Sequence, residues 1–125
     1  MGSITIESTV LIPWGRQEVY AFCVDEKARA AVPGQDGVRV LFADHVPDRS
    51  WTETHETGSE TITITCSLYP VADSTRLTVN ALYASKGLGR LFSAAKDGSY
   101  RKQEAARLAA LKKAVDRSVR KAKNV

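Results

Sequence analysis

Glu53, His55 and Tyr83 are the residues of this chain whose types and spacing suit proton-transfer chemistry. Glu53 and His55 stand two apart in a run, Trp51 to Thr57, that alternates as a β-strand does. Both therefore point to one face, with α-carbons about 6.5–7 Å apart. A carboxyl taken out of water rises in pKa toward a usable acid or base, an imidazole titrates near neutrality, and a phenol can donate to a developing oxyanion. Cyclisations and aldol-type condensations need such groups. The same three side chains could instead orient a bound ligand, or simply satisfy one another. In the last case Glu53 pairs with His55 or with Arg39 at the rim, because an uncompensated buried charge is costly.

Two hairpins must position these groups. Gly58-Ser59 separates Trp51–Thr57 from Glu60–Tyr69, and a two-residue turn with glycine first suits a type II′ hairpin. Pairing Thr57 with Glu60 sets Trp51 opposite Cys66, Glu53 opposite Ile64 and His55 opposite Ile62. Thr52, Thr54 and Glu56 then oppose Thr65, Thr63 and Thr61. One face is wholly polar, and the other is apolar except for Glu53 and His55. A second strand, Arg76 to Ala84, follows the turn-rich stretch Pro70–Thr75. Pairing Tyr69 with Arg76 places Leu68 against Leu77, Cys66 against Val79, Ile64 against Ala81 and Ile62 against Tyr83. Three strands thus agree on the apolar face, and Tyr83 falls about 10 Å from His55 at ~4.8 Å per strand.

The remaining elements frame this sheet. Ile4–Ile12 alternates as a first strand and is stopped by Pro13-Trp14-Gly15. Val19, Phe22 and Cys23 follow helical spacing behind Glu18, and Ala28–Ala31 forms a second helical turn ended by Pro33-Gly34. Val38–Ala43 is a short strand, with His45 in the loop after it. Near the C-terminus, Leu88, Leu91, Phe92 and Ala95 make one apolar stripe. Leu108, Leu111, Val115, Val119 and Ala122 make another, nearly opposite. Asp97-Gly98-Ser99 is the expected break between them, followed by a long helix from about Ser99 to Lys121 and a frayed basic tail over 122–125.

A chain of 125 residues makes one domain, 1–125, able to bury roughly two-thirds of its unfolded surface. No apolar run approaches the roughly 20 residues of a membrane span. The N-terminus has no signal-peptide pattern, and Ile6 stands where a myristoylation signal wants Ser or Thr, so a cytoplasmic location is expected. Cys23 and Cys66 are expected to be buried, reduced thiols. The net charge of +4 is unevenly spread: six Lys/Arg face eleven Asp/Glu over residues 1–85, against twelve and three over 86–125. Lys112, Lys113, Arg117 and Arg120 would be the contacts of an acidic partner or nucleic acid. Without zinc-finger, homeodomain or RNP signatures, nucleic-acid recognition would rest on charge alone. His and Cys spacings give no metal site, Gly87-Leu88-Gly89 completes neither a dinucleotide fingerprint nor a phosphate loop, and no cofactor is expected.

Three stretches resemble the START-like, or helix-grip (SRPBCC), superfamily, which includes polyketide cyclase/dehydrase-like proteins and pollen-allergen-like ligand carriers. Ile12–Asp25 is similar to its strand, Pro, and helix with spaced aromatics. Asp73-Ser74-Thr75-Arg76-Leu77-Thr78 is similar to the Gly-Gly-Thr-Arg-Leu-Thr turn before its last strand. Arg107–Val115 is similar to the stretch ending its final helix. The resemblance implies an α+β fold: a curved antiparallel sheet wrapped around a long C-terminal helix, with an apolar cavity between them. Five candidate strands stand where the family usually has six or seven, which leaves closure of the cavity to a homodimer partner or to Ser85–Ala95.

The resulting expectation is a domain that binds a small apolar or amphipathic molecule, with Trp51, Glu53, His55, Ile62, Ile64, Val79 and Tyr83 as lining residues. Trp51 is either a cap on that pocket or plain core. One competing reading is a cyclase-like enzyme using Glu53 and His55 for proton transfer. Another is an interaction module using the basic helix.

Overall fold

A computed structural model describes residues 3–32, 38–57, 60–85 and 94–124. The elements run β1 (Ser3–Ile12), α1 (Arg16–Cys23), α2 (Glu26–Ala30), β2 (Arg39–Val46), β3 (Ser50–Glu56), β4 (Glu60–Val71), β5 (Ser74–Ser85) and α3 (Ala94–Lys123). The strands form one antiparallel sheet in the order β1-β5-β4-β3-β2. This is the α+β, helix-grip arrangement, with two short helices after the first strand and a long helix held against the sheet.

The registers follow from alternation together with the two turns, Thr57 with Glu60 and Tyr69 with Arg76. Trp51, Glu53 and His55 oppose Cys66, Ile64 and Ile62, while Leu68, Cys66, Ile64 and Ile62 oppose Leu77, Val79, Ala81 and Tyr83. A one-residue slip would turn every one of these side chains to the other face, so a buried face specifies its register strongly. The Gly58-Ser59 turn lies outside the described residues. Thr57 and Glu60 nevertheless close the hairpin, through the Thr57 N–H donating to the Glu60 carbonyl at 3.0 Å. The β4–β5 connection is tighter than expected: both strands continue into Pro70–Thr75 and leave Ala72 at φ 53° in the turn.

The core lies between the inner sheet face and α3. Ile6, Ile12, Trp51, Ile64, Cys66, Leu77, Val79, Ala81 and Tyr83 meet Tyr100, Leu108, Leu111, Val115 and Val119, with Val19 and Cys23 of α1. Two boundaries differ from the sequence expectation. First, α3 begins at Ala94, runs through Asp97-Gly98-Ser99 without a break and ends at Lys123. Glycine costs about 1 kcal/mol in a helix, which packing of the stripe beyond it outweighs. Lys123 is held by Glu18 at 3.1 Å and lies over the Trp14 ring. The other stripe, Leu88, Leu91 and Phe92, lies outside the described residues, as do Pro33-Gly34 and most of Ser85–Ala95.

Second, β2 extends through His45 to Val46 with a bulge after Ala43, where Asp44 takes φ 52°. Aspartate tolerates this left-handed conformation better than most residues. The bulge brings His45 Nδ1 within 3.1 Å of the Tyr20 hydroxyl. At the other side, Gly15 donates its N–H to Glu18 at 3.4 Å to start α1, and Asp25 caps α2 by accepting from Ala28 N–H at 3.1 Å.

Candidate functional site

Glu53 is 1% exposed and is the acceptor for a converging set of donors. Arg29 approaches it end-on, with Nη1 2.5 Å from Oε2 and Nη2 2.8 Å from Oε1. The Trp51 indole N–H donates to Oε2 at 2.7 Å, and His55 Nε2 lies 2.7 Å from Oε1. The Cys66 thiol completes the shell at 3.8 Å. Burial pushes the Glu53 carboxyl up, but the hydrogen bonds from His55 and Arg29, the Arg29 charge and the Trp51 N–H outweigh it. They hold the group well below the usual carboxylate range. An ionised carboxylate only accepts, so His55 Nε2 must carry the proton it shares with Oε1.

This reverses the expected direction for Glu53, keeps the His55 contact and replaces the cation expected beside it. Desolvation alone would have made it a neutral acid, whereas four strong donors keep it a fixed anion. Arg39, the expected rim cation, instead pairs loosely with Glu56 at 3.6 Å on the surface. The cation that meets Glu53 is Arg29, 3% exposed, which also donates to the Cys23 carbonyl at 2.9 Å. Its Cζ stands 5.5 Å from the centroid of the Phe42 ring. Arg29 therefore ties α1 and α2 to β3. A single arginine within Ala28-Arg29-Ala30-Ala31 was the available sequence signal, the same one that marked Glu53: a charge on an apolar face.

Tyr83 belongs to a separate cluster. Its hydroxyl donates to the buried Glu104 and accepts from Gln103 at 3.1 Å. Arg107 reaches Glu104 at 2.5 Å from the next helical turn. Tyr100 stacks on Tyr83 with ring centroids 3.9 Å apart, and its hydroxyl donates to Glu60. Burial, followed by the hydrogen bond to Glu104, pushes the Tyr83 hydroxyl far above its ordinary range. Glu104 was readable as well. Tyr100, Glu104, Leu108, Leu111, Val115 and Val119 share one helical stripe, and Glu104 is its sole charged member.

Burial and the Glu60 hydrogen bond push Tyr100 up to about 12. Its neutral form is favoured by folding, so this contribution is intact below the unfolded tyrosine pKa of about 10 and fades as pH rises through 12. Tyrosinate absorbance should show a late-titrating group near pH 12 that moves toward 10 in Glu60→Gln. An unmoved titration would contradict the assignment.

The cysteines are both free and buried. Burial pushes Cys23 up to about 12 and Cys66 well above its ordinary value, which makes both poor nucleophiles. Among the described residues no group of three His, Cys, Asp or Glu could hold a metal ion, and no helix is long and apolar enough to cross a membrane.

The seven residues expected to line a ligand cavity are all in the interior, with exposures from 0% for Ile64 and Tyr83 to 5% for Ile62. The structure brings Trp51, Glu53 and His55 together and sets Tyr83 apart with Glu104. Two cavities lie along α3. One, about 780 Å³, is bounded by Phe22, Ala28 and Ala31 on one side and Ala106, Ala109, Ala110, Lys113, Ala114, Arg117, Ser118 and Lys121 on the other. The second, about 700 Å³, runs between β1 and the neighbouring flank of α3, and shares Ala109 and Lys113 with the first. Neither wall contains any of the seven.

No family model matches the sequence, and no curated protein matches it. The fold, by contrast, is widely shared among solved structures. A conserved protein from Geobacillus kaustophilus superposes with a TM-score of 0.71 at 12% identity, covering 92% of this chain and 97% of its own. DynU16, a protein of the dynemicin biosynthetic locus, gives 0.68 at 14% identity; the match covers 90% of this chain but 47% of DynU16. Aha1 from Colwellia psychrerythraea, solved as a dimer in solution, gives 0.64 at 11% identity over 90% of this chain and 96% of that one. At such identities the likeness establishes the helix-grip architecture and nothing finer, since one fold hosts many functions.

Proposed function

We propose that this domain binds a small amphipathic molecule, an apolar body ending in an anionic group, in the groove between the α1–α2 pair and α3. The observation that carries the reading is the groove itself. It is an open groove of about 780 Å³ walled by Phe22 and alanines, with Lys113, Arg117 and Lys121 along one bank. That volume suits a drug-sized ligand, and a mostly apolar wall with a few placed polar groups is the usual composition of such sites. The apolar contact would supply most of the affinity. The three exposed cations would select the charged end, with an effect that salt weakens.

In this reading Trp51, Ile62, Ile64, Val79 and Tyr83 support the groove from behind as core, and Glu53 and His55 anchor α2 to the sheet. A proton-transfer role for Glu53 and His55 has one observation in its favour, the 2.7 Å contact that fixes the His55 tautomer. Against it stands Glu53 itself, whose donors oppose proton exchange.

Isothermal titration with dodecanoate and dodecanol tests the proposal. Both should bind, and Ala110→Trp should weaken both by about tenfold or more by filling the groove. Lys113→Glu with Arg117→Glu should weaken dodecanoate several-fold and leave dodecanol nearly unchanged. If Ala110→Trp has no effect while Ile64→Ala alters binding, the ligand sits against the sheet instead.

A further inference from the structure

The two edges of the sheet are built differently. β2 carries the usual protections against pairing: a bulge after Ala43, left-handed Asp44, the charges of Arg39 and Asp44, and Pro47 directly beyond it. β1 carries almost none of them. It pairs with β5 without interruption from Ser3 to Ile12, contains no proline or lysine, and bears one charge, Glu7. Among the described residues its backbone pairs only with β5, except that the Ile12 carbonyl accepts from the Trp14 N–H at 2.8 Å. Beside this edge runs the cavity of about 700 Å³ on the second flank of α3. Ser8, Val10 and Pro13 form its strand side, and Leu108 with neighbouring alanines forms its helix side.

The charge of that cavity is lopsided. Lys112, Lys113 and Arg120 stand against one acid, Asp116. Asp116 is already engaged, accepting from the Trp14 indole N–H at 2.9 Å and from Arg120 at 3.0 Å. Lys112 and Lys113 are exposed on its bank. A strand edge with no further strand among the described residues and a cationic trough thus lie side by side.

We propose that the β1 edge and this trough together form a docking surface for an extended acidic peptide, which adds as a sixth strand next to β1. Main-chain hydrogen bonds to the edge would supply affinity, and the alternation of side chains would supply selectivity. Every second side chain of the added strand would point over the inner face toward α3, where Lys112 and Lys113 favour Asp or Glu. The intervening side chains would lie beside Thr5, Glu7, Thr9 and Leu11 on the outer face, where Glu7 disfavours a second acid and selects neutral residues.

A labelled nonapeptide alternating glutamate and valine is the probe, read by fluorescence polarisation and by amide hydrogen exchange of the full chain. Binding should be saturable, should slow exchange along β1, and should weaken about tenfold in Lys112→Glu. The same peptide N-methylated throughout, which cannot donate to a strand edge, should lose binding about tenfold or more, and a lysine–valine counterpart should not bind. Lys112 lies outside the proposed ligand groove, so dodecanoate affinity in Lys112→Glu separates failure of this surface from failure of the groove. Equal binding of the N-methylated peptide would reduce the interaction to surface charge and overturn the proposal. So would unchanged β1 exchange, or a protein that is already a dimer with β1 amides protected by a second copy.

Discussion

Glu53→Gln is expected to lower the unfolding free energy by about 3–5 kcal/mol, because it leaves the buried Arg29 guanidinium without its counter-ion. Arg29 is 3% exposed and cannot swing to water without breaking its bond to the Cys23 carbonyl. An amide also turns its N–H₂ toward one Arg29 Nη and either the Trp51 or the His55 donor, where a carboxylate oxygen was needed. Arg29→Met should cost a similar amount. The double variant should cost clearly less than the two together, with a coupling on the order of the 0.5–3 kcal/mol seen for residues in one network. Urea unfolding at neutral pH measures all four proteins.

The same residue sets the acid limb of stability. Folding holds the Glu53 pKa below its unfolded value, so its contribution is fully present above about pH 4.3 and is lost as pH falls through the folded pKa. The gap between the native protein and Glu53→Gln should therefore narrow as pH drops below about 4. A variant within 1 kcal/mol of the native protein at neutral pH, with a parallel acid profile, would rule out the ion-pair role.

The second large effect is expected at Glu104. Glu104→Ala removes the acceptor of the buried Tyr83 hydroxyl and the partner of Arg107, and should cost about 2–4 kcal/mol. The lower range follows from geometry: the Arg107 side chain is 12% exposed, against 4% for Arg29, so it can turn toward water. Glu104→Leu continues the apolar stripe of α3 and should recover part of the packing. Adding Tyr83→Phe, which deletes the stranded hydroxyl, should recover more, since removing both partners of a buried hydrogen bond costs less than removing one. If Tyr83→Phe instead compounds the loss fully, Tyr83 and Glu104 are not a coupled pair.

The alternation of Trp51–Thr57, Glu60–Tyr69 and Arg76–Ala84 determined the buried face, and the short turns between them determined strand direction and register. With a side-chain period of two, any odd slip would turn Ile62, Ile64, Val79 and Ala81 outward, and the turn pairings Thr57–Glu60 and Tyr69–Arg76 select among the rest. The stripe from Leu108 to Val119 likewise determined which side of α3 meets the sheet. Two charges on those buried faces, Glu53 and Glu104, were legible as exceptions to the pattern, although only Glu53 was read as one.

Tertiary structure decided the rest. The bulge at Asp44 and the passage of α3 through Gly98 depend on contacts that outweigh local propensity, and no short window contains those contacts. Arg29 is 24 residues from Glu53. It reaches the carboxylate because α1 and α2 fold back over β3, a geometry that spacing does not encode. The same folding reverses the acid–base character of Glu53. Burial seen from sequence predicts a neutral acid, but the donors that packing brings around it make a fixed anion.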